Sequence, residues 1–123
     1  MPLYGRISSP LLASALLSLP AHSAPLVGAS ANDECATATT VTVGSAALDT
    51  TSATSSSTAW NCDGSGADVW FTYTSLGSSS IEIDTLGSSF DTVMMVWSGT
   101  CSAAVYLGCN DDAQSGVTQS LYT

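Results

Sequence analysis

Asp68-Val69-Trp70-Phe71-Thr72-Tyr73-Thr74 alternates strictly: Val69, Phe71 and Tyr73 fall on one side of an extended chain, Trp70, Thr72 and Thr74 on the other. Successive side chains of a β-strand point to opposite faces, so a period of two in β-branched and aromatic residues reads as a strand. Working outward, residues 80–85 set Ile81 and Ile83 against Glu82 and Asp84, the pattern of a strand with one wet face. Residues 92–97 (TVMMVW) are apolar on both faces and are followed by Gly99, which predicts a strand covered on both sides. Residues 39–43 and 46–51 open the series, and residues 105–109 and 117–122 complete it. About seven short strands with Gly and Ser between them, and no sustained 3.6-residue stripe, predict an all-β fold, an antiparallel sandwich or barrel. The Ser/Thr/Gly-rich stretch 52–66, which holds Trp60 and Cys62, reads as a surface loop.

Charge narrows the function. The 123-residue chain has ten carboxylates, one arginine at Arg6, one histidine at His22 and no lysine, for a formal net charge of −9. A nucleic-acid binder needs a basic surface to displace phosphate counterions, so that class is excluded. Arg6 precedes an apolar run at residues 11–19 with small residues after it, the layout of a secretory signal peptide. Spanning a bilayer as a helix takes about 20 apolar residues, so no permanent membrane span is expected. Small-x-small patterns place the cut after Ser23 or after Ala31. The expected organisation is a leader and short linker at 1–31 and a β module at 32–123, exported to the extracellular space or the cell surface.

From Asn32 onward the chain has no Lys, Arg or His, which removes most catalytic chemistry. Nucleophilic triads and Cys-His pairs need an imidazole, zinc loses its usual nitrogen ligand, and phosphoryl transfer lacks its cations. A carboxylate pair of the glycosidase kind is the main apparatus left, and a non-enzymatic role is expected. The cysteines, Cys35, Cys62, Cys101 and Cys109, meet an oxidising environment on export and predict two disulfides. Four cysteines allow three connectivities; the short separation of Cys101 from Cys109 favours a local bridge, leaving Cys35 with Cys62.

The ordered set Asp49-Thr50-Thr51-Ser52-Ala53-Thr54, Ala67 to Tyr73, Phe90-Asp91-Thr92-Val93, Trp97 to Cys101 and Cys109-Asn110-Asp111-Asp112 resembles the bacterial pre-peptidase C-terminal domain and related jelly-roll modules. The resemblance spans about residues 32–123. It implies a jelly-roll β-sandwich serving as a non-catalytic appendage of larger extracellular proteins, with calcium or polymeric substrates as ligands in part of the group. It also implies further strands, and further domains, beyond Thr123, since residues 120–123 read as the inside of a strand.

Two features are candidates for binding. Asp91, Asn110, Asp111 and Asp112, with Asp84 near another strand end, offer the hard oxygens that calcium takes, although EF-hand spacing is absent and Asn-Asp-Asp also suits a plain turn. Trp60, in the polar loop, is the candidate contact for an extracellular polymer, a polysaccharide or protein fibre; Trp70 and Trp97 sit on strong strands and are expected in the core. The reading is an accessory module for binding or display, with a structural or adhesive cell-surface segment as the alternative and a carboxylate-dependent hydrolase a distant third.

Overall fold

Each residue of Val93–Ser98 is buried, as a strand apolar on both faces requires, and this strand organises the rest of the molecule. The computed structural model describes residues 2–9, 30–56, 62, 66–75, 77 and 80–123. Its strands are β1 (Pro2–Ser9), β2 (Thr39–Thr40), β3 (Ala67–Thr74), β4 (Ile83–Asp84), β5 (Val93–Ser98), β6 (Val105–Asn110) and β7 (Leu121–Tyr122). Short 3₁₀ turns occupy Cys35–Thr37 and Cys101–Ala103. The fold is all-β. A five-stranded sheet has the order β2-β3-β1-β5-β6, and β4 pairs with β7 in a separate two-stranded sheet. All pairings between these strands are antiparallel except β2 with β3, which is parallel, so the larger sheet is mixed where an antiparallel one was expected.

The two faces of the large sheet carry separate apolar clusters, and the alternation along β5 assigns residues to each. Met94 and Val96 join Ile7 on one face, with Leu48, Phe71, Ile83 and Tyr122 packed against them. Met95 and Trp97 join Trp70 on the other, with Cys35, Ala38 and Cys109 alongside. The Trp70 and Trp97 rings stack with centroids 5.2 Å apart, and Tyr106 meets Trp97 edge-on at 6.1 Å. Both tryptophans are buried, as expected from their strands. Full burial of Met94 and of Met95 stabilises the fold by about 1.5–3 kcal/mol each. At the end of β5 the chain turns through Gly99, whose φ of +104° favours glycine. A Cβ there would stand 2.6 Å from the Ala103 carbonyl oxygen.

The largest departure from the sequence expectation is β1. Pro2–Ser9, assigned above to the leader, lies between β3 and β5 and is antiparallel to both, with Arg6 opposite Trp70 on one side and Met95 on the other. The large sheet therefore draws strands from both sides of the boundary placed at 31/32. A lone arginine ahead of an apolar run has the layout of a leader, and Gly5-Arg6-Ile7 also has the alternation of a strand, the form in which the structure places it.

Other strands are shorter than expected. Residues 46–51 form no strand: Leu48 packs against the Ile7/Met94 cluster, and a turn follows in which the Thr51 amide donates to Asp49 Oδ1 (2.9 Å) and the Ala53 amide to the Thr50 carbonyl (3.1 Å). The Thr51 hydroxyl first, and its amide second, hold the Asp49 carboxyl below the usual carboxylate range. Residues 80–85 and 117–122 contribute only Ile83–Asp84 and Leu121–Tyr122 as strand. Short polar-flanked runs such as these satisfy their backbone groups with turns instead of ladders.

The disulfide pairing is corrected. Cys35 joins Cys101 with Cα atoms 5.8 Å apart, and Cys62 joins Cys109 at 6.0 Å. Strand β6 is the reason: the extended run from Val105 to Cys109 rises about 13 Å, which carries Cys109 beyond the Cα separation a disulfide spans from Cys101. Cys101 instead faces the other 3₁₀ turn. The native bridges close loops of 66 and 47 residues, and longer loops restrict the unfolded chain more. Peptide mapping of non-reduced protein should yield Cys35–Cys101 and Cys62–Cys109 linked peptides and no free thiol; a Cys101–Cys109 peptide would contradict the placement of β6.

Candidate functional site

Because β5 and β6 are antiparallel neighbours, with Met94 opposite Asn110, the entry to β5 and the exit from β6 lie side by side. Asp91 precedes the first, and Asp111 and Asp112 follow the second. Their carboxylates come together, with one oxygen from each within 4.8 Å of the others, and all three residues are exposed.

The backbone that presents them is fastened from below by buried hydroxyls. Thr85 and Thr92 Oγ1 atoms are 2.6 Å apart, and the Ser120 amide donates to both, at 2.8 and 3.1 Å. Ser120 Oγ lies 2.6 Å from the Thr92 carbonyl and 3.0 Å from that of Asp111, so one hydroxyl ties the two acidic segments together. The Thr92 amide donates to Thr118 O (2.9 Å), and the Ala113 amide to Gln119 O. Thr85, Thr92 and Ser120 are all buried, and among the described residues no buried side-chain nitrogen or oxygen lacks a partner. A satisfied polar network of this kind fixes geometry, because each member left unpaired would carry a desolvation cost.

Asn110 belongs to the scaffold. Its Nδ2 donates to the Asp112 carbonyl (3.1 Å) and its Oδ1 accepts from the Leu121 amide (2.7 Å), so its side chain links the acidic loop to β7. Asp84 stands apart, accepting from the Leu86 amide (2.8 Å) as a turn cap. Trp60 lies outside the described residues. Of the residues named from the sequence, Asp91, Asp111 and Asp112 are thus brought together, and Asn110 adjoins them at the end of β6.

Three carboxylates at this spacing repel one another, each pair by about 1 kcal/mol even at the dielectric of water. Every carboxylate of the chain lies at or after Asp33, where no Lys, Arg or His is present to relieve that repulsion. The donor set is all oxygen, which suits hard cations such as calcium better than zinc or copper.

Two further features were not read from the sequence. An open apolar trough of about 1060 Å³ runs under the Ile7/Met94 face, walled by Val41, Leu48, Phe71 and Ile83. On the opposite face Arg6 and Asp68, both fully buried, form an ion pair. The Arg6 Nε donates to Asp68 Oδ2 and its Nη2 to Oδ1 (2.9 Å), while the Ser56 amide and hydroxyl each donate to the same carboxylate at 2.7 Å. The Ser56 hydroxyl also accepts from Trp70 Nε1 (3.1 Å), and the guanidinium carbon lies 5.9 Å from the Trp70 ring centroid. The available sequence signal was Asp68 at the head of an otherwise apolar, alternating strand.

No protein-family model matches the chain, and no curated protein or solved structure matches it significantly.

Replacing Ser120 with Ala removes the hydroxyl that joins the two acidic segments. Loss of this buried link should destabilise the protein by about 1–3 kcal/mol. In urea titration the midpoint should fall with the slope unchanged; an unchanged midpoint would show that the hydroxyl network does not hold these loops.

Proposed function

We propose that the chain is a secreted, non-catalytic module of jelly-roll β-sandwich type, serving binding or display within a larger extracellular protein, with calcium bracing its acidic loops. The observation that carries this reading is the convergence of Asp91, Asp111 and Asp112 at one end of the sheet. The likeness to pre-peptidase C-terminal domains supplies the class of module, and the two disulfides fit an oxidising compartment. Among the described residues no helix is long and apolar enough to cross a membrane. The absence of Lys, Arg and His after residue 31 argues against catalysis in the module. Its partner is an extracellular polymer, with Trp60 as the proposed contact.

In this role a divalent cation does for the loops what no basic side chain can. It cancels the repulsion among three carboxylates and holds the β5 entry and the β6 exit in one arrangement. Calcium tolerates irregular cages of six to eight oxygens, so three carboxylates completed by water suffice, whereas magnesium demands a tighter octahedron.

Binding only to the folded state should add about 2.7 kcal/mol at a calcium concentration 100 times the dissociation constant. The melting temperature should therefore rise with calcium and rise less with magnesium at equal ionic strength. The calcium-specific part should vanish in Asp111→Asn/Asp112→Asn. Equal responses to the two ions would leave only screening, and a full calcium response in the double variant would place the site elsewhere.

A further inference from the structure

We propose that the apolar trough under the Ile7/Met94 face binds an amphiphile with an aliphatic tail and an ammonium head. The proposal goes beyond the accessory-module reading and does not depend on calcium.

The trough encloses about 1060 Å³, just above the roughly 300–1,000 Å³ usual for small-molecule sites, so a long flexible ligand has room. Its floor is the middle of the large sheet, where Gly5 stands opposite Phe71 on β3 and Val96 on β5. The period of two puts Gly5 on the same face as Ile7. Glycine weakens a strand interior; it marks a bulge, a bend, or a place where a ligand or another backbone comes close. Neither ladder of β1 shifts register, and a Cβ on Gly5 would meet nothing within 4 Å. The slot over the central strand is therefore open down to the backbone.

The lining sets the chemistry of the occupant. Ile7 and Met94, with Leu48 and Ile83 packed against them, offer hydrocarbon and thioether surface, which takes an aliphatic tail. Phe71, Tyr73 and Phe90, all half-buried, line the same trough with aromatic rings, whose faces attract cations as well as apolar groups. The charged residues among the described lining are Glu82 and Asp84, both exposed, and Glu82 has no ion-pair partner among the described residues. Carboxylates and aromatic rings lining one apolar trough favour an ammonium head and repel a carboxylate, sulfate or phosphate one.

Isothermal titration of the folded, oxidised full chain tests this with three probes, kept below the concentration at which micelles form. They are dodecyltrimethylammonium, dodecyl sulfate with the same tail, and tetramethylammonium with the head alone. Dodecyltrimethylammonium should bind at a single site, and each of the others about 10-fold or more weakly than it. Gly5→Leu, whose side chain enters the open slot, should keep its melting temperature and weaken binding about 10-fold, the loss of contact with about two methylenes of tail. Glu82→Gln should weaken binding about threefold, whereas Glu34→Gln, which removes the same charge next to Cys35 on the opposite face, should leave it unchanged. A photoreactive diazirine on the tail of the ammonium probe should label peptides containing Gly5, Leu48 or Ile83, a readout that stands even if Gly5→Leu fails to fold. The proposal is overturned if the ammonium probe does not bind, if dodecyl sulfate binds as tightly, or if folded Gly5→Leu keeps full affinity. It is equally overturned if Glu34→Gln weakens binding as much as Glu82→Gln, or if the label falls only outside the trough.

Discussion

The bidentate contact of Arg6 with Asp68 is the constraint from which the sheet takes its order. Both groups are wholly removed from solvent. A buried charge pair contributes little net stability against an apolar replacement, but losing one partner costs about 3–5 kcal/mol. The pair therefore acts as a register pin: slipping β1 by one residue would turn the guanidinium to the Met94/Val96 face and strand Asp68. Ser56 completes the arrangement by donating twice to the carboxylate and accepting from the Trp70 indole, so the polar cluster and the tryptophan stack on the same face hold each other in place.

Around that centre the loops are secured by two other means. Covalent bridges fasten one face: Cys35 and Cys101 join the two 3₁₀ turns, and Cys109 on β6 ties back to Cys62. Buried hydroxyls fasten the end where β5 begins and β6 finishes, through Thr85, Thr92 and Ser120. On the apolar side Gly108 lets the Tyr122 ring approach β6, where a Cβ would come within 2.8 Å of it. The two sheets thus meet where the acidic loop is also anchored, and the carboxylates sit on a braced support.

Legibility in the sequence followed the locality of the signal. Strand β5 could be read because TVMMVW is apolar on both faces, and β3 because DVWFTYT alternates without interruption. The meeting of Asp91 with Asp111 and Asp112 needed only two consecutive antiparallel strands with acids at adjoining ends. What could not be read depends on distant partners. The disulfide pairing turns on which turns face each other across the sheet, and spacing along the chain favoured the wrong pair. The hydrogen bond from the Leu121 amide to the Asn110 amide oxygen likewise joins groups eleven positions apart. The β1 strand was hard to read because one short segment carries two patterns, a cation ahead of an apolar run and a brief alternation, and Asp68, the buried partner of Arg6, lies 62 positions away.

Hydrogen exchange of the intact, oxidised chain tests the central claim most directly, since it reads the backbone of β1 without altering a residue. If the Arg6–Asp68 pair seats β1 in the middle of the sheet, the amides of Gly5, Arg6 and Ile7 should exchange as slowly as those of Trp70 and Met95, opening only with the whole fold. Fast exchange at residues 5–7, with β3 and β5 still protected, would contradict the account.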